Sequence, residues 1–379
     1  MRRMAILSLP ESVLRRRTSM KWRRYGPDVL PLWVAEMDVT LPAAITNAIV
    51  DAVEAGDTGY PEGTQYQEAF AEMARARWGW SPDPLAEMAR VGDVMNAMLA
   101  LLQGLTDEGD HIVLNPPVYA PFWQVIAGYR RHITEVPLVD GRLDLDGLRA
   151  AFAGPDRPSA YVLCSPHNPT GTVHTREELA AVASLCAEFG VALIADEIHG
   201  VLVDPGTEFV PLLSVPETSG AFVATSAGKG WNLAGFKGGL IIRGTDAAEG
   251  LKKLPPLARQ STGQIAKIAH TAALTHAQGW VDDLMAEVAA NKDLLARLLA
   301  ERLPEVVYQR APGTYLAWLD CTALGLDKPA AHFRTEGKVA LNNGADFGAD
   351  YGQFVRMNLA ASPEIITEAV DRMARSVGR

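Results

Sequence analysis

The feature that most constrains the fold is a series of short apolar runs separated by helical patterns. Four of these runs cover residues 161–164, 191–195, 221–225 and 239–242. Their length and their enrichment in aliphatic residues are typical of strands that are buried on both faces. Continuous apolar strands separated by helices predict a mainly parallel sheet between helices, which is the α/β class.

The order of the patterns predicts two domains in a chain of 379 residues. We assign residues 41–280 to a large domain that contains the sheet. Residues 1–40, an N-terminal arm, join residues 281–379 in a small α+β domain. The patterns beyond residue 250 predict either two helices or one bent helix at 264–303, with a break near Gly279. They also predict strands at 314–319 and 353–358, and helices at 328–336 and 363–376.

Composition excludes several classes of function. The net charge of −10 argues against nonspecific binding to nucleic acids, which requires a basic face. No apolar run approaches the length of a membrane span, and the N-terminus does not have the pattern of a signal peptide. The cysteines, Cys164, Cys186 and Cys321, lack the spacing of metal ligands and are predicted to be buried thiols. These features favour a cytoplasmic protein without a nucleic-acid or membrane partner.

Polar residues follow three of the predicted strands. Asn168, Asp196 and Lys229 each come shortly after an apolar run. In open α/β sheets, ligand groups collect at the carboxyl ends of the strands. We therefore expect these three side chains to meet at one edge of the sheet.

The stretch 226–237 is the first candidate for a reactive group. Lys229 lies in a loop of small residues, and burial beside a second cation, Lys237, favours its neutral amine. A neutral amine can form a Schiff base with a carbonyl, and Ser226 and Lys237 can hold a phosphate. The helix that follows Gly92 offers backbone N–H groups to the same anion. Taken alone, the stretch is equally compatible with a glycine-rich surface loop; with the other residues, it indicates a site for pyridoxal phosphate (PLP).

The chain resembles the fold-type-I PLP-dependent enzymes of the class I/II aminotransferase superfamily. Within that superfamily, it is similar to the cystathionine β-lyase (C–S lyase) branch of MalY/PatB type. The matching stretches span nearly the whole chain and are residues 17–18, 21–22, 32–38, 59–60, 117–122, 166–169, 196–199, 229–235, 313–316 and 355–358. The branch assignment depends mainly on residues 33–38, His199 and Trp231-Asn232. The resemblance implies the PLP-dependent transferase fold of type I.

The resemblance also implies how the cofactor ring is held. Lys229 is expected to bind PLP covalently and to move the proton at the substrate Cα. Asp196 is expected to pair with the pyridinium nitrogen, which keeps the ring protonated. Asn168 is expected to donate to the ring oxygen, and Tyr119 to stack on the ring. The predicted catalytic residues are Lys229, Asp196 and Tyr119.

The predicted phosphate site has contributions from two subunits. Ser226, Lys237 and the backbone N–H groups of Val94 and Met95 are expected to hold the phosphate. By resemblance, Tyr60 reaches the phosphate of a neighbouring subunit. The resemblance therefore implies a homodimer with its sites at the subunit interface, although Tyr60 can also be explained by packing within its own loop.

The predicted substrate site contains Arg356, Asn168 and Ala35. By resemblance, Arg356 binds the substrate carboxylate as a bidentate fork, and a structural ion pair is its alternative role. His199 stands where many aminotransferases carry a tyrosine that bonds to the cofactor oxygen. It either approaches the cofactor or packs beside it. His167 is expected to be structural.

The predicted reaction is PLP-dependent cleavage of L-cystathionine or a cysteine S-conjugate to a thiol, pyruvate and ammonia. A PLP-dependent aminotransferase of an L-amino acid is the first alternative, and a PLP-binding regulator that acts through protein contacts is the second. Some positions depart from the family pattern. Gly228 and Gly230 flank Lys229 where serine or threonine is frequent, and Glu36 and Val39 stand where the branch often has Asp and Phe.

Overall fold

The computed structural model describes residues 5–379, so the first four residues of the predicted arm lie outside the described part. The helices are α1 Glu11–Leu14, α2 Met20–Arg23, α3 Ala43–Glu54, α4 Gln65–Trp78, α5 Val94–Leu105, α6 Pro121–Gly128, α7 Leu145–Ala153, α8 Arg176–Phe189, α9 Ala248–Lys252, α10 Gln264–His276, α11 Gln278–Arg302, α12 Pro329–Thr335 and α13 Pro363–Ser376. The strands are β1 Leu30–Pro31, β2 Met88–Val91, β3 His111–Leu114, β4 His132–Glu135, β5 Pro158–Cys164, β6 Ala192–Asp196, β7 Phe222–Thr225, β8 Gly239–Arg243, β9 Val307–Tyr308, β10 Leu316–Asp320, β11 Val339–Ala340, β12 Asn342–Asn343 and β13 Phe354–Asn358.

The large sheet has seven strands in the order β2-β8-β7-β6-β5-β3-β4. All neighbouring pairs are parallel except the two that β8 forms with β2 and β7. The predicted mainly parallel sheet is confirmed. Hydrophobic clusters cover it on both faces, so the central strands need apolar side chains on both sides.

Local sequence signals set the limits of the helices around this sheet. Thr175 and Glu178 form a capping box at the start of α8, and Gly190 ends that helix in the left-handed conformation. The long pattern at 264–303 forms two helices that meet at Ala277, close to the break expected near Gly279. The Ala277 carbonyl accepts a hydrogen bond from the Trp231 indole, which ties the break to the loop that carries Lys229.

A second sheet of four antiparallel strands, in the order β12-β13-β10-β9, has its own hydrophobic cluster. Helix α11 contributes to both cores, since side chains up to Val288 pack in the first cluster and those from Leu295 onward pack in the second. The arm also joins this part of the molecule, because β1 pairs in parallel with β11. The predicted thiols are confirmed: Cys164, Cys186 and Cys321 are all free and buried. Between residues 5 and 379, no helix combines the length and the apolar character that a bilayer crossing requires.

A buried ion pair attaches the arm to the segment that follows β1. Lys21 Nζ lies 2.7 Å from Asp38 Oδ2, and the side chains of both residues are almost fully buried. The Trp22 indole donates to the other carboxylate oxygen at 2.9 Å. Lys21 Nζ also donates to the Glu36 carbonyl at 3.0 Å, so one ammonium holds two points of the segment.

We expect the substitution Lys21→Met to lower the free energy of unfolding by about 3–5 kcal/mol, because it leaves the Asp38 charge buried without its cationic partner. Chemical denaturation followed by circular dichroism measures this loss. The double variant Lys21→Met/Asp38→Asn removes both charges and is expected to recover part of the stability. A single variant as stable as the parent protein would contradict the assigned role of the pair.

Candidate active site

One cavity collects the predicted residues at the carboxyl end of the parallel strands. It is lined by Asn168, Asp196 and Lys229, which follow or end β5, β6 and β7. The sheet thus brings the three polar groups together at one edge. The same cavity is lined by Ala35, Val94, Met95, Tyr119, His199, Ser226, Lys237 and Arg356. Tyr60 does not line it and is fully exposed in the single chain.

Lys229 extends from the loop after β7 into the cavity. Its Nζ donates a hydrogen bond to the Ala35 carbonyl at 2.7 Å. The residue as a whole is half-buried, but its amine end lies within the cavity. Burial there lowers the pKa of Lys229 to about 8; the Arg356 guanidinium also lowers it, and Asp196 opposes the shift. The neutral amine is therefore accessible near neutral pH.

Close packing explains the two glycines that flank Lys229. A Cβ on Gly230 would lie 2.7 Å from Val201 Cγ2, and a Cβ on Gly228 would lie 3.0 Å from Ser226 Oγ. Ser226 Oγ accepts from the Gly228 N–H and donates to the Gly238 carbonyl. A hydroxyl-bearing residue at either position would therefore require its neighbours to move.

Asp196 is the last residue of β6 and is 3% exposed. Its Oδ1 accepts a hydrogen bond from the Ile198 N–H at 3.0 Å, so the carboxylate also caps the turn that follows the strand. Burial raises the pKa of Asp196 to about 7, while the Ile198 N–H and the Lys229 charge oppose the rise. A cationic group placed in the cavity beside this carboxyl would restore its charged form.

The start of α5 gives the cavity a part that is suited to an anion. Val94 and Met95 occupy the first turn of α5, where backbone N–H groups have no partner within the helix. Asp93 caps this helix by accepting from the Asn96 N–H, and its other oxygen lies 2.7 Å from Lys237 Nζ. Asp93 was not among the predicted site residues, although its position as the residue before an apolar helix is a recognisable capping signal.

Arg356 lies on β13 and is 4% exposed. Its guanidinium donates to Asn168 Oδ1 at 2.8 Å, to the Trp33 carbonyl at 3.2 Å and to Asn342 Oδ1 at 2.5 Å. Its Nε has no partner within residues 5–379, and its partners in that part of the chain include no carboxylate. Burial lowers the pKa of Arg356 to about 10. The side chain is thus held by neutral acceptors and keeps donors for an external carboxylate.

Tyr119 and His199 also line the cavity, and Tyr315 contacts this lining. Burial raises the pKa of Tyr119. Tyr315, which was not predicted as a site residue, donates to the Ala35 carbonyl at 3.2 Å, and its ring centroid lies 6.3 Å from that of His199. His199 is buried, and its Nδ1 has no partner among the described residues. Burial lowers the pKa of His199 to about 3, so the ring is neutral.

Two asparagines hold the segment 34–37 against the cavity. Asn232 accepts from the Met37 N–H at 2.8 Å and donates to the Met37 carbonyl at 3.2 Å. Asn358 donates to the carbonyls of Val34 and Glu36, both at 2.7 Å. The Ala35 carbonyl that meets Lys229 is therefore fixed by side chains from the loop after β7 and from β13.

His167 lies outside this constellation. It is buried but does not line the cavity, and its Nδ1 lies 2.9 Å from Thr170 Oγ1. This placement agrees with the structural role expected from the sequence.

Comparison with known proteins identifies relatives over almost the full chain. A family model described as aminotransferase class I and II matches residues 37–373. A Mycobacterium leprae protein provisionally named cystathionine β-lyase is 45% identical over 95% of this chain and 95% of its own length. Cystathionine β-lyase PatB of Bacillus subtilis is 32% identical over 94% of this chain and 95% of its own length.

A solved structure has the same fold. The crystal structure of a Corynebacterium diphtheriae protein, provisionally described as a PLP-dependent β-cystathionase, superimposes with a TM-score of 0.94. It is 30% identical in sequence, and the match covers 99% of this chain and 100% of that one.

Proposed function

Because the chain belongs to the aminotransferase class I and II family, we propose that it is a PLP-dependent carbon–sulfur β-lyase acting on L-cystathionine or a related cysteine S-conjugate. One observation carries the proposal, namely which groups line one cavity. They are a lysine amine, a buried carboxyl, a helix N-terminus and a guanidinium that has no carboxylate partner within residues 5–379. The names and identities of the two relatives support the reaction type.

The chemistry of the cavity fits PLP. Ser226, Lys237 and the N–H groups of Val94 and Met95 would hold the phosphate. The Asp196 carboxyl, whose pKa is raised in the protein alone, fits a partner that brings a positive charge, such as a pyridinium nitrogen. Asn168 would donate to the ring oxygen, and Tyr119 would pack on the ring face. When bound, the cofactor supplies an aldehyde carbon for the substrate amine and an electron sink for charge that develops at Cα.

Lys229 and Asp196 would have different roles in β-elimination. Lys229 would take the proton from the substrate Cα, and a pKa near 8 leaves a useful fraction of neutral amine at neutral pH. As the Cα–H bond breaks, the Cβ–S bond breaks with its electron pair on sulfur, and the thiolate leaves. The remaining 2-aminoacrylate takes up water and gives pyruvate and ammonia. Asp196 would hold the ring nitrogen in its protonated form throughout.

Arg356 would orient the substrate by its carboxylate. We expect Arg356→Lys to raise KM by about 10- to 100-fold, the effect of losing one charge-assisted hydrogen bond, with a smaller change in kcat. Steady-state kinetics with L-cystathionine measure this effect. Arg297→Lys is the control, because Arg297 is exposed and does not line this cavity. An unchanged KM in the Arg356 variant would remove this residue from the substrate site.

The proposal extends to assembly and location. We propose a homodimer in which Tyr60, fully exposed in the single chain, reaches the phosphate of the neighbouring subunit. We also propose that residues 41–280 form a PLP-binding domain. Residues 1–40 and 281–379 would form the arm and the smaller domain. Three free buried thiols support a location in the cytoplasm.

A coupled assay tests the function directly. PLP-loaded protein is mixed with L-cystathionine, without an oxo acid, and pyruvate and free thiol are measured together. Equal amounts of both over many turnovers are expected for β-elimination. If no pyruvate forms, and the amino acid is consumed only after an oxo acid is added, then the protein is an aminotransferase and the lyase proposal is wrong.

A further inference from the structure

A second cavity lies beside the candidate active site, between the arm and the part of the chain that carries α12 and β12. Its lining combines three basic side chains, Arg24, Lys328 and Arg334, with one carboxylate, Asp346. Arg24 follows α2, Lys328 immediately precedes α12, Arg334 lies on α12, and Asp346 follows β12. Distant parts of the sequence are thus assembled into one polar cavity.

The three cations of this cavity form no ion pair within the described residues, since Asp346 bonds to none of them. Within residues 5–379, the structure gives Arg24, Lys328 and Arg334 neither an ion pair nor a side-chain hydrogen bond. The Arg334 guanidinium lies 5.8 Å from the centroid of the Tyr25 ring, which in turn packs edge-on against Trp33 at 5.7 Å. The cavity therefore offers cations next to aromatic surface.

The wall of this cavity touches the arginine of the candidate active site. Trp33 and Asn342 line the second cavity, and both accept hydrogen bonds from Arg356. Asp346 is followed by Phe347, whose ring centroid lies 4.8 Å from the Arg356 guanidinium carbon. A molecule held by Arg356 at one end therefore lies close to the second cavity.

We propose that this cavity is a subsite for the distal amino-acid head of the substrate, the part that leaves with the thiol. The inference rests on the proposed function. L-Cystathionine carries a second carboxylate and a second ammonium beyond its sulfur. The cationic side chains would bind that carboxylate, Asp346 would bind that ammonium, and the rings of Tyr25 and Trp33 would pack on the methylene groups between them.

The chemistry predicts selectivity among sulfur substrates. S-Ethyl-L-cysteine has the same reacting end as L-cystathionine but no distal head. Arg334→Ala and Asp346→Asn are each expected to raise KM for L-cystathionine about tenfold, as the loss of one charged hydrogen bond would. The kinetic constants for S-ethyl-L-cysteine are expected to stay within about twofold, because that substrate does not reach the altered side chains.

The experiment compares both substrates on the holoenzymes of the parent protein, Arg334→Ala, Asp346→Asn and a matched control, Arg297→Ala. Arg297 is another exposed arginine, and it lies on α11 outside the cavity. Melting curves establish that each variant is folded. A KM increase for L-cystathionine alone supports the subsite. Equal effects on both substrates, or no effect on either, overturn it and leave the lyase function intact.

A second measurement tests substrate binding at the subsite independently of the reaction that follows. Titration of the cofactor absorbance with each amino acid gives a half-saturation concentration, whichever reaction follows. If the parent protein forms no pyruvate but Arg334→Ala weakens the titration by L-cystathionine selectively, the lyase proposal fails and the subsite stands. If L-cystathionine leaves the absorbance of the parent holoenzyme unchanged, the subsite proposal is wrong as well.

Discussion

Replacing Lys229 by alanine is expected to reduce pyruvate formation from L-cystathionine by at least about 10³-fold, within the range found for the loss of a general acid–base group. The reason lies in the cavity, where Lys229 contributes an amine with a pKa lowered to about 8. The neighbouring cations offer no substitute. Lys237 is paired with Asp93, and the Arg356 guanidinium does not act as a base in proteins.

Initial rates of pyruvate formation measure the effect, and two further observations identify its cause. The visible absorbance that a lysine-linked PLP gives is expected to disappear in Lys229→Ala. Lys253→Ala, a change at an exposed lysine on the same chain, is expected to retain both absorbance and rate. If Lys229→Ala kept more than about a tenth of the parent rate, Lys229 would not be the residue that moves the Cα proton.

The large sheet was predictable where its strands are buried on both faces. Runs such as 161–164 and 191–195 need apolar residues at every position, so the pattern is visible in the sequence. The edge strand β4 was not predicted, because it is short, partly exposed and contains His132 and Glu135. Strand β2 was also missed, since its four residues include an arginine. Strands of this kind are defined by their partners rather than by their own composition.

The reactive groups of the site could be predicted from the sequence, but the side chains that hold the segment 34–37 in place could not. Lys229, Asp196 and Asn168 follow recognisable strands, and the sheet brings them to one edge. The roles of Asn232 and Asn358 depend on which backbone groups lie opposite them, and these are about 195 and more than 300 residues away in the sequence. No local sequence pattern indicates a contact between residues that are so far apart in the chain. Tyr315 belongs to the same class, because its hydroxyl meets the Ala35 carbonyl only after both sheets have packed.

These supports explain why the segment 34–37 belongs to the site although it offers mostly backbone. Its Ala35 carbonyl accepts from Lys229 Nζ and from the Tyr315 hydroxyl. Lys21 and Asn358 both bond to the Glu36 carbonyl, so the arm and β13 fix the same peptide. The arm therefore helps to hold the acceptor that orients Lys229, which connects its stability to the geometry of catalysis.

Replacing Asp196 by asparagine is expected to lower kcat by about 10²–10³-fold, the size of effect that follows the loss of one electrostatic partner in an active site. Asparagine keeps the shape of the side chain and an oxygen that can accept from the Ile198 N–H. It cannot carry the negative charge that holds a pyridinium nitrogen in its protonated form. The electron sink is thereby weakened while the turn after β6 remains capped.

The adjacent carboxylate provides the control for this prediction. Glu197 is also buried, burial raises its pKa to about 8, and its Oε1 accepts from the Leu212 N–H at 2.6 Å. It does not line the cavity. Glu197→Gln therefore removes a similar buried acid from outside the site, and we expect kcat to change by less than about threefold. Equal losses of kcat in the two variants would mean that Asp196 acts only by stabilising the fold. A loss of kcat confined to Asp196→Asn, together with an altered absorbance of bound PLP, would show that the Asp196 charge acts on the cofactor ring.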